Sequence, residues 1–147
     1  MLTFLALLIV IGALYAISEY NRLHPKLLLD WSPAMSPVAY ERYCAEVLRY
    51  AGWQARTTSA TGDQGIDVLA NKQGVRVVIQ CKLYSNPVGN SAVQQALAGR
   101  AFVNAHLAVV VSNAAYTRSA RVLAQRTGVH LLHHRDLAHA DRLFLAR

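Results

Sequence analysis

Nine residues, Arg76-Val-Val-Ile-Gln-Cys-Lys-Leu-Tyr84, constrain this chain more than any other stretch. Aliphatic residues crowd the run as in a strand buried within a sheet, yet a glutamine and a lysine interrupt it two positions apart. Side chains alternate faces along a strand, so Gln80 and Lys82 share one face while Ile79, Cys81 and Leu83 share the other. A lysine near the middle of a sheet is costly unless a carboxylate or a function holds it there. Upstream, Gly62-Asp63-Gln64-Gly65-Ile66-Asp67 reads as a turn leading into a short strand, Ile66 to Ala70. Asn71-Lys72-Gln73-Gly74 is rich in turn formers, so the two runs form an antiparallel hairpin that brings Asp67 towards Gln80 and Lys82.

A carboxylate, an amide and an amine gathered this way suit phosphodiester hydrolysis. That reaction needs positive charge against the phosphoryl oxygens and a positioned water for in-line attack. Carboxylate and amide oxygens suit magnesium, which keeps several of its waters. A lysine can orient the attacking water or stabilise developing charge as a point cation.

The segments Tyr40-Glu41, Gly62 to Asp67, Gln80-Cys81-Lys82 and Val88-Gly-Asn-Ser-Ala-Val93 together resemble the Mrr-type catalytic domain of the restriction-endonuclease-like, PD-(D/E)xK nuclease superfamily. The resemblance runs from about Ser36 to the C-terminus. It implies that Asp67, Gln80 and Glu41 bind a metal, Mg2+ or Mn2+, and that Lys82 completes the catalytic set. It also implies a secondary role near the metal for Asp63, although an Asp two residues before a glycine in a turn commonly bonds its own backbone. Related sequences carry Glu where Gln95 stands, so Gln95 is a further secondary candidate, facing either the site or solvent.

Charge agrees with a polyanionic partner. The 147 residues carry a formal net charge of +7 and a pI near 9.9, which suits nucleic acid but also an anionic membrane surface. Between Trp31 and Arg135 the only acidic residues are Glu41, Glu46, Asp63 and Asp67, so carboxylates concentrate near the proposed site. Cys44 and Cys81 fall at core-facing positions, giving no disulfide framework and no metal-ligand spacing, in keeping with a reducing compartment. His130, His133, His134 and His139 lack zinc-site spacing.

Met1 to Ser18 is an uncharged apolar run that as a helix would span about 27 Å, close to the hydrocarbon thickness of a bilayer. With no basic residue before it and no clean cleavage site after it, it reads as a single N-terminal transmembrane helix, an uncleaved anchor, rather than a signal peptide. Arg22 and Lys26 follow, placing the C-terminal body in the cytoplasm at the inner (plasma) membrane. Residues 19–35, with Pro25 and Pro33, read as a linker or interfacial segment.

The body, residues 36–147, reads as α/β with a mixed β-sheet flanked by helices. Ser36-Pro37 is a helix-start signal, and the helix stops at Gly52. Tyr40, Cys44, Val47, Leu48 and Ala51 share its apolar face, with Arg42, Glu46 and Arg49 opposite and Glu41 at the border. Glu46 has Arg42 and Arg49 within helical reach. A second helix covers Ser91 to Asn104. The strand Leu107 to Val111, a helix from Thr117 to Thr127 and the strand Val129 to Leu132 make a βαβ unit. Ser112, Asn113 and Thr117, at the junction of that strand and helix, and Arg118 and Arg121 beyond them, are candidate DNA-phosphate contacts.

These features imply a membrane-anchored, metal-dependent DNA endonuclease, with a homodimer compatible with cutting both strands. Gln80 and Gln95, neutral where acids would bind metal better, motivate a second reading: a catalytically degraded nuclease fold acting as a membrane-tethered nucleic-acid-binding module.

Overall fold

The protein is described by a computed structural model covering residues 2–23, 31–58 and 66–146, with side chains described from 6 to 20 in the first helix. Asp63 and the rest of the Gly62 to Gly65 turn lie outside the described residues.

Helix α1 spans Leu2–Leu23. Among the described residues no helix is long and apolar enough to cross a membrane. The apolar side chains of α1, Leu7 to Val10 and Ile17 among them, are exposed. Of the segment following it, Trp31 and Met35 lie against the core of the body, with the Trp31 ring 4.9 Å from that of His134.

Helix α2, Pro37–Tyr50, begins as its sequence dictates: Ser36 Oγ accepts from Ala39 N–H at 3.2 Å, and Pro37 occupies the first turn, where no N–H is needed. It ends at Gly52, whose φ of +82° suits a residue without Cβ. The next element was not expected from the sequence. Strand β1, Gln54–Thr57, is four residues long, too short for alternation to stand out, and tertiary pairing rather than propensity makes it a strand.

Strands β2, Val68–Lys72, and β3, Val75–Lys82, form the predicted antiparallel hairpin. The turn is shorter than expected. Gln73 and Gly74, with φ of +51° and +79°, form a two-residue connection with positive φ at both positions, the kind whose twist matches the flanking strands. Asn71 and Lys72 therefore belong to β2 and not to the loop.

Helix α3, Asn90–Phe102, leads to strand β4, Leu107–Ser112, then helix α4, Arg118–Thr127, and strand β5, Val129–His133. The sheet order is β1-β2-β3-β4-β5. The first two pairings are antiparallel and the last two parallel, so the sheet is mixed as expected. A 3₁₀ helix, His134–His139, and helix α5, Ala140–Phe144, close the body.

Two apolar layers sandwich the sheet. One joins α2 to Val68, Ala70, Val77, Ile79, Val109 and Val111, with Leu137 and Phe144 sealing it. The other joins α3 and α4 to Val78, Ala108 and Val110, the alternate residues of the same strands. This alternation fixes the register, because a one-residue slip would exchange the two layers.

Candidate active site

Asp67 stands one residue before β2, at the end of the hairpin farthest from its turn. Its main chain is fixed on both sides: the N–H donates to Ile79 O and the carbonyl accepts from Thr58 N–H, each at 3.0 Å. With the backbone so held, the side chain lies over β3. Oδ2 accepts from the Gln80 amide Nε2 at 2.5 Å and from the Cys81 backbone N–H at 2.6 Å. The carboxylate thus satisfies a ladder donor that β2 leaves unpaired where the strand ends.

Gln80 is 5 % exposed. Its amide nitrogen is used by Asp67, but its carbonyl Oε1 is buried with no hydrogen-bond partner among the described residues. A buried amide oxygen without a donor is unfavourable and calls for a cation or a water. Lys82, two residues on along β3, is half-buried. It takes part in neither ion pair formed between described residues, Arg49–Glu46 and Lys72–Asp141. Asp67, the partner the sequence suggests for it, gives its Oδ2 to Gln80 and Cys81.

Glu41 is half-buried on α2, just past its first turn. A hydrogen bond with Cys44 and burial push the Cys81 thiol, on the α2 side of β3, well above the ordinary range, and the negative charges of Asp67 and Glu41 add to the shift. Glu46 pairs with Arg49 on the outside of α2 and has no part in the site.

Among the described residues, no three His, Cys, Asp or Glu side chains form a metal-binding group. The oxygen-bearing side chains shown in contact here are the Asp67 carboxylate and the Gln80 amide. The unpaired Gln80 Oε1 is the observation that fits a hard cation, which takes oxygen ligands of this kind.

Gln95 is exposed on α3, whose buried face is Ala92, Val93, Ala96 and Gly99. At the β4–α4 junction three of the candidate contacts are engaged internally. Ser112 is buried, donating from Oγ to Lys82 O at 2.7 Å and accepting from Ala114 N–H at 3.0 Å. The Asn113 side chain donates to Tyr84 O at 2.9 Å and accepts from Tyr84 N–H at 2.8 Å. Thr117 caps α4, its Oγ1 accepting from Ala120 N–H at 3.1 Å. Ser112 and Asn113 thereby brace the backbone on either side of Leu83, immediately after Lys82. Arg118 and Arg121 remain exposed.

The Cys81 N–H is a part of the site that sequence reasoning missed, since a backbone donor leaves no trace in residue identity. The Cys44–Cys81 contact was missed for a related reason: both positions point to the core, but only the packing angle of α2 makes them neighbours.

Comparison with known proteins bears on the fold and the family. No curated protein matches the chain. Among solved structures, a crystal structure titled as AF1548, a protein of unknown function, superposes with a TM-score of 0.58 at 22 % identity, covering 67 % of this chain and 58 % of that one. The MspJI restriction endonuclease in complex with a 27-mer oligonucleotide aligns with a TM-score of 0.44 at 20 % identity, covering 89 % of this chain and 30 % of that one. The chain thus spans less than two thirds of either structure, and the first likeness speaks for the fold. The model of the restriction endonuclease family, Mrr catalytic type, matches residues 33–140, most of the chain and the whole of the site described above. The chain belongs to the Mrr-type restriction endonuclease family.

Proposed function

We propose that this protein is a metal-dependent DNA endonuclease held at a membrane by α1. The observation that carries the catalytic reading is the Asp67–Gln80 pair, a fixed carboxylate beside a buried amide oxygen that lacks a donor, with Lys82 on the same strand face. Asp67, Gln80 and Glu41 would hold magnesium or manganese, which when bound supplies positive charge against the phosphoryl oxygens.

The chain's own groups divide the remaining work. The Cys81 N–H and the Gln80 amide orient the Asp67 carboxylate, so no reorganisation is needed when substrate arrives. Lys82 holds the attacking water by hydrogen bonding and offsets the negative charge that develops on the phosphate. Ser112, through the Lys82 carbonyl, fixes the strand that carries this ammonium.

The test is cleavage by the full chain in detergent, on linear, branched and methylated DNA with magnesium or manganese. Asp67→Ala and Lys82→Ala should each slow cutting by about 10²–10³-fold, the usual effect of removing one electrostatic stabiliser. Unchanged cutting by both variants would sink the assignment.

A second reading rests on the Gln80 Nε2 bond to Asp67, which also makes sense as a purely structural closure of the carboxylate. In that case the domain binds DNA without cutting it. Salt-sensitive binding with no cleavage in either metal, and the same affinity in Asp67→Ala, would favour this alternative.

The membrane reading rests on α1, whose side chains from Leu7 to Ile17 are apolar and exposed around the helix. A helix apolar all round needs lipid or protein to cover it. The basic residues after it orient the nuclease domain to the cytoplasm. Retention of the full chain in membranes after alkaline carbonate washing supports the anchor, and release into the wash contradicts it.

A further inference from the structure

A second basic feature lies away from Asp67, on the open half of the sheet. An open groove of about 540 Å³ is lined by Arg49, Gln54, Arg56, Leu69, Asn71 and Arg76, with Trp53 and the alanines of β1 and β2 behind them. Among the described residues, no acidic side chain lines it.

Register places this groove relative to the site. Arg56 lies opposite Leu69, and Gln54 opposite Asn71, which in turn lies opposite Arg76. Asp67, Leu69 and Asn71 share one face of the chain leading through β2, and Arg76, Val78, Gln80 and Lys82 share the corresponding face of β3. The arginines and the candidate catalytic groups therefore lie on one face of the sheet; on β3 the buried Val78 separates Arg76 from Gln80, so the open path from the groove to Asp67 runs along β1 and β2, past Arg56 and the partly buried Leu69. At about 3.3 Å per residue, the row of Arg76 and Asn71 is about 13 Å from Asp67 and Gln80, and the row of Arg56 about 7 Å. A duplex rises about 3.4 Å per base pair, so these rows fall about two and four steps from the scissile phosphate.

The side chains differ in how firmly they are held. Arg76 donates to Val103 O at 2.9 Å, which ties it to the C-terminal end of α3 while leaving its other donors free. Arg49 donates to Ala55 O at 2.8 Å and pairs with Glu46. The Arg56 side chain is exposed and makes no hydrogen bond or ion pair among the described residues. The one aromatic ring of the lining, Trp53, is 3 % exposed and offers no surface for base stacking. Such a groove suits phosphates, read by guanidinium forks and amides, and not unstacked bases.

We propose that this groove is a docking track for the sugar-phosphate backbone of duplex DNA, with Arg56 and Arg76 as its phosphate contacts. The inference rests on the nuclease reading of the Asp67 site, and it adds a sequence-independent hold on the flank of the cut. It assigns these arginines to affinity and positioning, leaving the bond-breaking step to Asp67 and Lys82.

The experiment measures binding of the full chain in detergent micelles to a fluorescent 30-base-pair duplex without divalent metal, across a range of salt concentrations. For Arg56→Gln the slope of log K against log salt should flatten by about 0.9, and for Arg56→Gln with Arg76→Gln by about 1.8. The Kd should rise several-fold for the single variant and more for Arg56→Glu. Arg142→Gln, on α5 against the opposite layer, should leave the slope unchanged. Arg76→Gln also loses its bond to Val103, so Arg56→Gln, with no such bond to lose, decides the matter if the double variant melts early. An unchanged slope in Arg56→Gln and Arg56→Glu overturns the track, as does absence of DNA binding by the native chain, while the nuclease reading stands wherever Asp67→Ala still slows cutting in metal.

Discussion

The two faces of β3 show how one strand serves two purposes. Towards α2 it presents Val77, Ile79 and Cys81 to a layer of large side chains: Tyr40, Leu48, Trp53 and Phe144 pack there, and the Trp53 and Phe144 rings meet edge to face. Towards α3 and α4 it presents Val78 to a layer of alanines and valines without a fully buried aromatic ring, and then Gln80 and Lys82. The first face is a closed core. The second is apolar at one end of the strand and becomes polar at the other, where Oε1 of Gln80 is left without a donor. Stability and chemistry are thus separated by the pleat of a single strand, and a substitution on one face should move one property more than the other.

The largest expected effect is on the closed face. Leu48 is fully buried on α2, so Leu48→Ala should cost about 2–5 kcal/mol, read as a lower urea midpoint. Val93, equally buried on α3, has less to lose, and Val93→Ala should cost about 1–3 kcal/mol. If Val93→Ala proves as damaging as Leu48→Ala, the layers do not differ as the packing indicates.

On the polar face, Gln80→Glu sharpens the contrast. It replaces the amide that donates to Asp67 with a second negative charge at hydrogen-bonding distance. In chelator the variant should be destabilised by about 1–3 kcal/mol, the cost of a lost buried bond. Magnesium should then restore more stability than it gives the native chain, since a ligand that binds only the folded state stabilises it in proportion to its occupancy. Equal melting temperatures of the two proteins with and without metal would remove Gln80 from the metal site.

Much of this division was legible before any coordinates. Alternation in Val77 to Lys82 separates the faces, the Ser36-Pro37 start and Gly52 stop bound α2, and the hairpin places Asp67 beside Gln80. The losses have physical reasons. Strand β1 exists because the edge of β2 offers it partners, a non-local cause that four residues cannot advertise. The closing helices, His134–His139 and Ala140–Phe144, are short and held by tertiary contacts such as Trp53 Nε1–H to Asp141 at 2.8 Å. Ser112, Asn113 and Thr117 look like free polar groups in the sequence because their internal partners, Tyr84, Lys82 and Ala120, become visible only once the strands are aligned. Arg56 and Arg76 are ordinary exposed charges until the register sets them on the face of Asp67.

A last contrast separates the faces by pH. Burial raises the pKa of Tyr40, and the Cys44 thiol beside it adds to the shift. The Cys81 thiol is raised by its bond to Cys44 and by burial. Both groups belong to the closed layer. Each keeps its proton in the folded chain at pH values where the unfolded chain, with ordinary pKa values of about 8.5 for Cys and 10 for Tyr, has lost it. The stability they contribute is therefore complete below about pH 8.5 and declines as pH rises, since the unfolded state then binds fewer protons than the folded one. Each group should remove about 1.4 kcal/mol per pH unit once its unfolded pKa is passed. Urea midpoints measured from pH 7 to pH 11 should fall first with the thiol and more steeply with the tyrosine. In Cys81→Ala the decline should begin later, nearer pH 10, even though the variant starts from a lower stability. A decline that begins at the same pH in Cys81→Ala as in the native chain would show that the buried thiol on the α2 side of β3 does not set the alkaline limit.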